Sequence, residues 1–223
     1  MKTIAVIHTA FPEKFGIPRQ AGLVEECKAQ IVFAPEYRSA DALRGIDAFS
    51  HLWLLWEFSE AKRDTWSPLV RPPRLGGNEK KGVFATRSPF RPNPIGLSCV
   101  RLESVEWEGK DGPILHVSGA DCMDGTPIYD IKPYIPYADC RPEATDGFAP
   151  KPEISLEVRY AEGCREKLRE PEVVTALLQQ DPRPHYQDDP ERIYGLTYEK
   201  QNVCFTVKEG VVTVIRVEKC QNG

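Results

Sequence analysis

The chain has 223 residues, of which 41% are hydrophobic and 28% are charged, as in ordinary globular proteins. Proline is enriched, with 20 residues, and because proline lacks an amide proton and blocks the preceding helical turn, this content argues against an all-helical bundle. The apolar runs are far shorter than the ~20 residues that span a bilayer, and the N-terminus lacks the apolar core of a secretory signal. We therefore expect a soluble, cytoplasmic protein.

The first 138 residues are predicted to be mostly β. A single helical turn is expected at 39–43. Short apolar or alternating segments predict strands at 4–8, 30–33, 49–58, 83–85, 97–102, 114–120 and 128–131. Short strands separated by turn signals at this spacing are typical of a barrel or a sandwich.

A second unit is predicted after a linker. Residues 139–152 are rich in turn formers and separate a domain at 1–138 from one at 153–223. Pro171 suits the first turn of a helix, and Glu209-Gly210 suits a hairpin turn. The C-terminal pattern predicts a strand at 154–160, helices at 162–169 and 172–180, and strands at 193–198, 203–207 and 211–217. This order indicates a small α+β domain.

The cysteines and histidines do not form a recognisable metal or disulfide pattern. Seven cysteines and four histidines are scattered along the chain, and the sequence contains no C-x-x-C pair. Zinc knuckles and disulfide frameworks need close, paired spacing. We expect reduced thiols, as in a reducing compartment, and no metal site built from cysteines and histidines.

Positive charge is concentrated in one segment. Between positions 68 and 101 the only acidic residue is Glu79, against seven basic ones: Arg71, Arg74, Lys80, Lys81, Arg87, Arg91 and Arg101. This segment carries +6, which leaves −10 for the rest of a chain whose net charge is −4. Its arginines alternate with prolines and glycines, so a stiff backbone would present guanidinium groups to phosphate or carboxylate. The segment predicts an anion-binding face, and a solvated basic loop is the alternative.

The common catalytic fingerprints are absent. The sequence has no G-x-G-x-x-G, P-loop, G-x-S-x-G or H-E-x-x-H motif, which disfavours Rossmann-type methyltransferases and dehydrogenases. The segment from Asp121 to Pro127 is similar to the D-x-D-G-T motif of aspartate phosphatases, but Cys122 stands where that chemistry needs its nucleophilic Asp. A Mg²⁺ site from Asp121, Asp124 and Asp130 stays open, although carboxylates beside such a turn often cap it.

Four longer motifs together resemble the TsaA/YaeB (TrmO-like) family. They are L-G-G-N (75–78), G-V-F-A-T-R-S-P-F-R-P-N-P-I-G (82–96), D-G-T-P-I-Y-D-I-K-P-Y-I-P-Y (124–137) and Q-D-P-R-P-H-Y (180–186). The N-terminal K-F-G-I-P-R-Q and the F-S-H-L-W strand (49–53) agree, so the resemblance covers nearly the whole chain. The last motif marks the bacterial form, which has an added C-terminal domain.

The resemblance implies a fold and an activity. The fold is a single-sheeted β-barrel that binds S-adenosylmethionine as a homodimer, with the cofactor sites near the subunit interface. The activity is methylation of N6 of adenosine 37 of tRNA, beside the anticodon, where that base already carries a threonylcarbamoyl group. A non-enzymatic nucleotide- or RNA-binding module with S-adenosylmethionine as its ligand is the competing class, and a phosphate-ester hydrolase is a third reading.

The resemblance also implies the residues of a cofactor site. Arg87 is expected to clamp the methionine carboxylate. The residues expected around the cofactor are Pro18, Arg19, Gln20, Arg87, Leu97, Asp124, Gly125, Thr126 and Pro127. Family members carry a His-containing pair after the F-S-H-L-W strand, whereas this chain has Ser59-Glu60, so we assign that pair no cofactor role.

The reaction requires a general base and side chains that bind the RNA. The nitrogen to be methylated belongs to a urea, a poor nucleophile until its proton leaves, so we expect a general base. Asp130, Asp181 and Tyr186 are the candidates, and the sequence does not choose among them. Arg71, Arg74, Arg91 and Arg183 are expected to hold phosphates of the tRNA anticodon loop. The target base lies in an unpaired loop, so extruding it does not require opening a duplex.

Overall fold

The computed structural model describes residues 1–75, 79–150, 155–183 and 189–220. Within these ranges the chain forms twelve strands and two α-helices. In chain order they are β1 (Ala5–Thr9), β2 (Lys28–Phe33), β3 (His51–Glu57), β4 (Leu69–Val70), β5 (Lys81–Gly82), β6 (Ile95–Glu106), β7 (Ile114–Ser118), β8 (Thr126–Pro133), α1 (Pro136–Asp139), β9 (Glu157–Tyr160), α2 (Pro171–Gln179), β10 (Tyr194–Tyr198), β11 (Gln201–Lys208) and β12 (Val211–Lys219).

Six strands close into an antiparallel barrel in the order β1-β2-β7-β6-β3-β8, with β8 returning to β1. Every second side chain along a strand points into the barrel and fills its interior. Along β3, Leu52, Leu54 and Trp56 are buried, while the residues between them are only partly covered. The closed sheet leaves these strands without free edges. The predicted mainly β fold with an N-terminal barrel is confirmed, and the sandwich alternative is wrong.

The topology places three connections at the same end of the barrel. Because neighbouring strands are antiparallel, the ends of β1, β3 and β7 lie beside the starts of β2, β6 and β8. The connections 10–27, 58–94 and 119–125 therefore emerge together, and we call this end the loop end. Most of the residues predicted for the site belong to these three connections.

The C-terminal part is a four-stranded sheet in the order β10-β11-β12-β9, in which β9 runs parallel to β12. Helix α2 buries four aliphatic side chains: Val173, Val174, Leu177 and Leu178. Glu209 and Gly210 both have positive φ, 51° and 77°, as a two-residue hairpin turn of the primed type requires. The α+β character of this part is confirmed.

The connection 10–27 packs into the C-terminal core. Phe11, Val24 and Cys27 are buried in the same cluster as the C-terminal sheet and α2, and the Phe11 ring lies 5.6 Å from that of Tyr198. Gly16 has φ +91°, and a Cβ on it would lie 1.8 Å from Leu196 Cδ1. A segment of the N-terminal half therefore belongs to the C-terminal core and not to the core of the barrel.

Two predicted elements were wrong. Residues Val83–Ala85 form a 3₁₀ turn, because the Thr86 amide and hydroxyl both donate to the Val83 carbonyl and curl the chain. The predicted helix at 162–169 shortens to a 3₁₀ turn at Arg165–Lys167, since Gly163 has φ +71° and breaks the helical path before it. Among the described residues, no helix is long and apolar enough to cross a membrane.

Candidate functional site

A cleft of about 890 Å³ opens at the loop end of the barrel. It lies where β3 ends and β6 begins, and all three connections of this end contribute to its walls. Seven of the predicted site residues line it: Pro18, Arg19, Gln20, Arg87, Arg91, Leu97 and Thr126. Ser59 and Glu60, to which we assigned no role, also line the cleft.

One wall of the cleft is aromatic. Trp56 lies opposite Gly96 in the β3–β6 pair, and its indole occupies the space that a Cβ on Gly96 would need, 2.2 Å from Cε2. The Phe58 ring lies 4.3 Å from the Trp56 ring, and Phe84 and Phe90 complete the aromatic lining. Only glycine at position 96 allows this wall, which gives the cleft an apolar, aromatic side.

A chain of hydrogen bonds runs from this wall to a carboxylate. Trp56 Nε1 donates to Ser98 Oγ at 2.8 Å, and Ser98 Oγ donates to Asp121 Oδ1 at 2.5 Å. Ser98 is almost completely buried, whereas Asp121 lines the cleft. Burial raises the pKa of the Asp121 carboxyl, although donors from Ser98 and the Ala21 amide, and the charge of Arg87, oppose the shift.

Two arginines that line the cleft make different contacts. The Arg87 guanidinium donates to Gln20 Oε1, and Arg87 is exposed to the cleft. Arg19 Nη2 donates to the carbonyls of Asp181 and Arg183, at 2.9 and 3.2 Å. Arg19 therefore connects the cleft to the C-terminal part. Arg87 presents its positive charge to the cleft, and its hydrogen-bond partner, the Gln20 amide, is neutral.

The predicted D-G-T-P turn is attached to strand β1. The amides of Asp124 and Gly125 donate to the carbonyls of Phe11 and Ile7, and Asp124 Oδ1 accepts from the Thr9 amide at 3.1 Å. Of the four residues only Thr126 lines the cleft, where its hydroxyl donates to the Met123 carbonyl. Asp124 and Gly125 are exposed, and Pro127 pairs with Val6 in the sheet.

Asp130 lies apart from the cleft. Together with Ile4, Phe33 and Phe49 it lines a second cavity of about 460 Å³, formed by the connection 34–50 and the end of β8. Its carboxylate pairs with Lys132 at 2.9 Å. The structure does not bring this candidate base together with the other predicted site residues.

The second candidate base, Asp181, is held in an ion pair. Arg183 donates from Nε and Nη2 to both carboxylate oxygens of Asp181, at 2.8 and 2.9 Å, and the Arg183 side chain is only 12% exposed. Burial raises the pKa of Asp181, but the Arg183 guanidinium outweighs burial and holds it below its ordinary value. The pair therefore makes Asp181 a weak base. Tyr186, the third candidate, lies outside the described residues.

The remaining predicted arginines are spread along the connection 58–94. Arg91 lines the cleft and donates to the Thr86 carbonyl at 3.2 Å, and Arg71 is exposed next to β4. Arg74 falls in the 3₁₀ turn Pro73–Leu75. Large apolar side chains are exposed on the same connection and at the start of β6: Trp66, Leu69, Phe84, Phe90 and Leu97. Residues 76–78 of the L-G-G-N motif lie outside the described residues.

The residues that build the buried side of the cleft were not predicted from the sequence. Trp56 and Ser98 were ordinary members of predicted strands, and Asp121 was considered only for phosphatase or metal chemistry. A signal for Ser98 exists in hindsight, since it is a polar residue at an inward position of an alternating strand. Within the part of the chain that the structure describes, no group of three His, Cys, Asp or Glu side chains is placed to hold a metal.

The fold and cleft define a class of protein: a barrel that binds a ligand with a planar and a charged part, without a glycine-rich nucleotide loop. Comparison with family models identifies the class. Residues 6–140 match the model for the tRNA-methyltransferase O N-terminal domain, and residues 153–220 match that for the TrmO C-terminal domain. The chain belongs to the tRNA-methyltransferase O family, which confirms the family predicted from its motifs.

Individual relatives agree with this assignment. The chain is 41% identical, over 96% of both proteins, to a protein of Escherichia coli K12 named tRNA (adenine(37)-N6)-methyltransferase. A Pseudomonas aeruginosa relative whose name includes S-adenosylmethionine dependence is 44% identical over 86% of both chains. The crystal structure of TrmO from Pseudomonas aeruginosa superposes with a TM-score of 0.77 at 34% identity, covering 97% of both chains. The chain is an S-adenosylmethionine-dependent methyltransferase of this family.

Proposed function

We propose that this protein methylates N6 of threonylcarbamoyl-adenosine at position 37 of tRNA, with S-adenosylmethionine as the methyl donor. The observation that carries the proposal is the loop-end cleft, whose lining combines an aromatic wall with the guanidinium of Arg87 and the carboxylate of Asp121. The membership of the chain in the tRNA-methyltransferase O family supports the choice of reaction.

The donor groups of the cleft fit the cofactor. An adenine ring needs an apolar slot, which Trp56 and Phe58 supply, and a carboxylate needs a guanidinium, which Arg87 supplies. The Gln20 side chain accepts from Arg87 and donates to the Arg19 carbonyl, so it orients the guanidinium. When bound, the cofactor supplies a methyl group on a positively charged sulfur, which is electrophilic without help from a metal.

The work left to the protein is to position the acceptor nitrogen and remove its proton. Methyl transfer is an in-line displacement, so most of the rate enhancement comes from orientation in a site that excludes water. Asp181 is a poor base while it is paired with Arg183, and Asp130 lies on the other cavity. Tyr186 is the base that we favour, since it follows Arg183 by three positions in the sequence, and Arg19 of the cleft donates to the carbonyls of Asp181 and Arg183.

The surface around the cleft suits an unpaired RNA loop. Arg71 and Arg91 share the connection 58–94 with Trp66 and Phe84, whose rings lie 6.0 Å apart and are 51% and 72% exposed. Arginine combined with exposed aromatic rings is typical of proteins that hold splayed bases and their phosphates. This surface is the one that we assign to the anticodon loop.

A homodimer is part of the proposal. Leu97, which lines the cleft, and Leu69 in β4 are about half exposed, and aliphatic side chains bury against protein better than they stack on bases. A second copy that covers them would place each cofactor site near the subunit interface. The cytoplasm, where tRNA is found, is the location that this activity requires.

Methylation assays with labelled S-adenosylmethionine test the function. tRNA isolated from cells should acquire one methyl group on threonylcarbamoyl-adenosine 37, detected by nucleoside mass spectrometry, and an unmodified transcript of the same sequence should acquire none. Equal methylation of both RNAs would overturn the substrate. Cofactor binding without any transfer to either RNA would favour the binding-module alternative.

A further inference from the structure

We infer that Asp121 is the residue that binds the α-ammonium group of S-adenosylmethionine, beside the Arg87 guanidinium that takes its α-carboxylate. This inference rests on the proposed function, because it concerns how that cofactor is oriented in the cleft. It assigns a binding role to a carboxylate that the family motifs did not mark.

The contacts of Asp121 leave it suited to a cation. Its Oδ1 accepts from Ser98 Oγ at 2.5 Å, and the Ala21 amide donates to the same carboxylate. Both donors are neutral, so they fix the carboxylate without cancelling its charge. Trp56 Nε1 holds the Ser98 hydroxyl from the other side at 2.8 Å, which ties the carboxylate to the aromatic wall of the same cleft.

The charge pattern matches the amino-acid end of the cofactor. That end is a zwitterion whose ammonium and carboxylate lie on the same carbon, so it needs an anion and a cation close together. Asp121 and Arg87 line the same cleft, and Arg87 is near enough to act on the charge of Asp121. A partly buried carboxylate is costly without a cation, and an arriving ammonium group removes that cost.

The binding should depend on pH in one direction. Burial raises the pKa of Asp121 in the ligand-free protein; the charged or titratable groups facing it are Arg87, which opposes the shift, and the buried Cys122 thiol, whose own pKa is raised well above its ordinary value. An ammonium group binds the ionised carboxylate, so affinity should fall as the pH drops through the raised pKa of Asp121. Binding in that range should release a proton to the buffer.

Calorimetry with two ligands tests the assignment. S-adenosylhomocysteine carries the amino-acid end, and 5′-methylthioadenosine has the same nucleoside and a neutral sulfur but lacks that end. For Asp121→Asn we expect affinity for S-adenosylhomocysteine to fall roughly tenfold or more, as for a lost charged hydrogen bond, and affinity for 5′-methylthioadenosine to be unchanged. Proton release, measured in buffers of different ionisation enthalpy, should disappear with the carboxylate.

The control is Asp111→Asn, which removes a carboxylate paired with Arg38 at the opposite end of the barrel and should leave both affinities unchanged. Thermal unfolding confirms that each variant is folded. Unchanged affinity of Asp121→Asn for S-adenosylhomocysteine would overturn the inference. If that variant bound the ligand normally and lost only methyl transfer, Asp121 would act as a base, and the inference would also be wrong. Equal weakening of both ligands would also overturn it, since Asp121 would then support the cleft as a whole. If the wild-type protein bound neither ligand, the proposed function itself would fail.

Discussion

The two ends of the barrel differ in the partners of the charged side chains around their cavities. At the end opposite the cleft, charged side chains pair with one another: Arg44 with Asp41, Arg38 with Asp111, and Asp130 with Lys132. At the loop end, Arg87 donates to a neutral amide and Asp121 accepts from a neutral hydroxyl. Both ends enclose a cavity, and the loop end has ion pairs of its own, Lys14 with Glu60 and Lys62 with Glu57, but Arg87 and Asp121 in its cleft have neutral hydrogen-bond partners. A charged ligand can replace water at Arg87 and Asp121 without first breaking an ion pair between them and another charged side chain.

Arg87→Ala should show the largest difference between the two ends. Loss of a charged hydrogen bond costs about 1.5–3 kcal/mol, so affinity for S-adenosylmethionine should fall roughly 10- to 150-fold in titration calorimetry. The matched change is Arg44→Ala, an arginine that lines the cavity at the opposite end. If both variants bound the cofactor as the wild type does, Arg87 would have no part in the site.

Gly96→Ala should damage the loop end through packing rather than charge. The new Cβ would overlap the Trp56 indole, and overpacking of this kind costs about 1–3 kcal/mol of unfolding free energy. We expect a lower midpoint in denaturant unfolding together with weaker cofactor binding. Gly82→Ala is the control, because a Cβ there meets nothing within 4 Å. Equal stability of the two variants would mean that the indole moves aside freely.

Trp66→Ala should have the smallest effect and should act on RNA alone. Removing one exposed ring that stacks on an unpaired base should weaken tRNA binding by about 1 kcal/mol, measured by filter binding at fixed salt, with cofactor affinity unchanged. Trp107→Ala, an exposed tryptophan beyond β6 at the opposite end, is the matched control. A similar loss for both variants would show that RNA does not distinguish the two ends.

A region of the fold could be predicted where its sequence signals, such as alternation or a turn residue, lie close together in the chain. Strand β3 and the hairpin of β11 and β12 alternate clearly or carry a glycine turn, so the sequence alone located them. Strand β6 extends to Glu106, beyond the predicted 97–102, because a register shift between Leu102 and Ser104 lets it continue pairing with β7.

The cleft was only half predictable for the same reason. Arg87 and Gln20 belong to motifs whose residues are contiguous, and the structure brings them together as expected. The group formed by Trp56, Ser98 and Asp121 comes from three separate segments, and nothing local links them. Asp181 and Arg183 form an ion pair although they are only two positions apart in the chain. Counting the charged residues of the sequence does not reveal that these two charges are paired.

The connection 10–27 constrains how this architecture can change. It carries Pro18, Arg19 and Gln20 to the cleft while Phe11 and Val24 are buried among C-terminal residues. A barrel that lost its C-terminal partner would expose these apolar side chains and release Arg19 from its anchoring carbonyls. Any shorter chain built on the same barrel would need compensating substitutions in this segment, so changes in the C-terminal part should be accompanied by changes at positions 10–27.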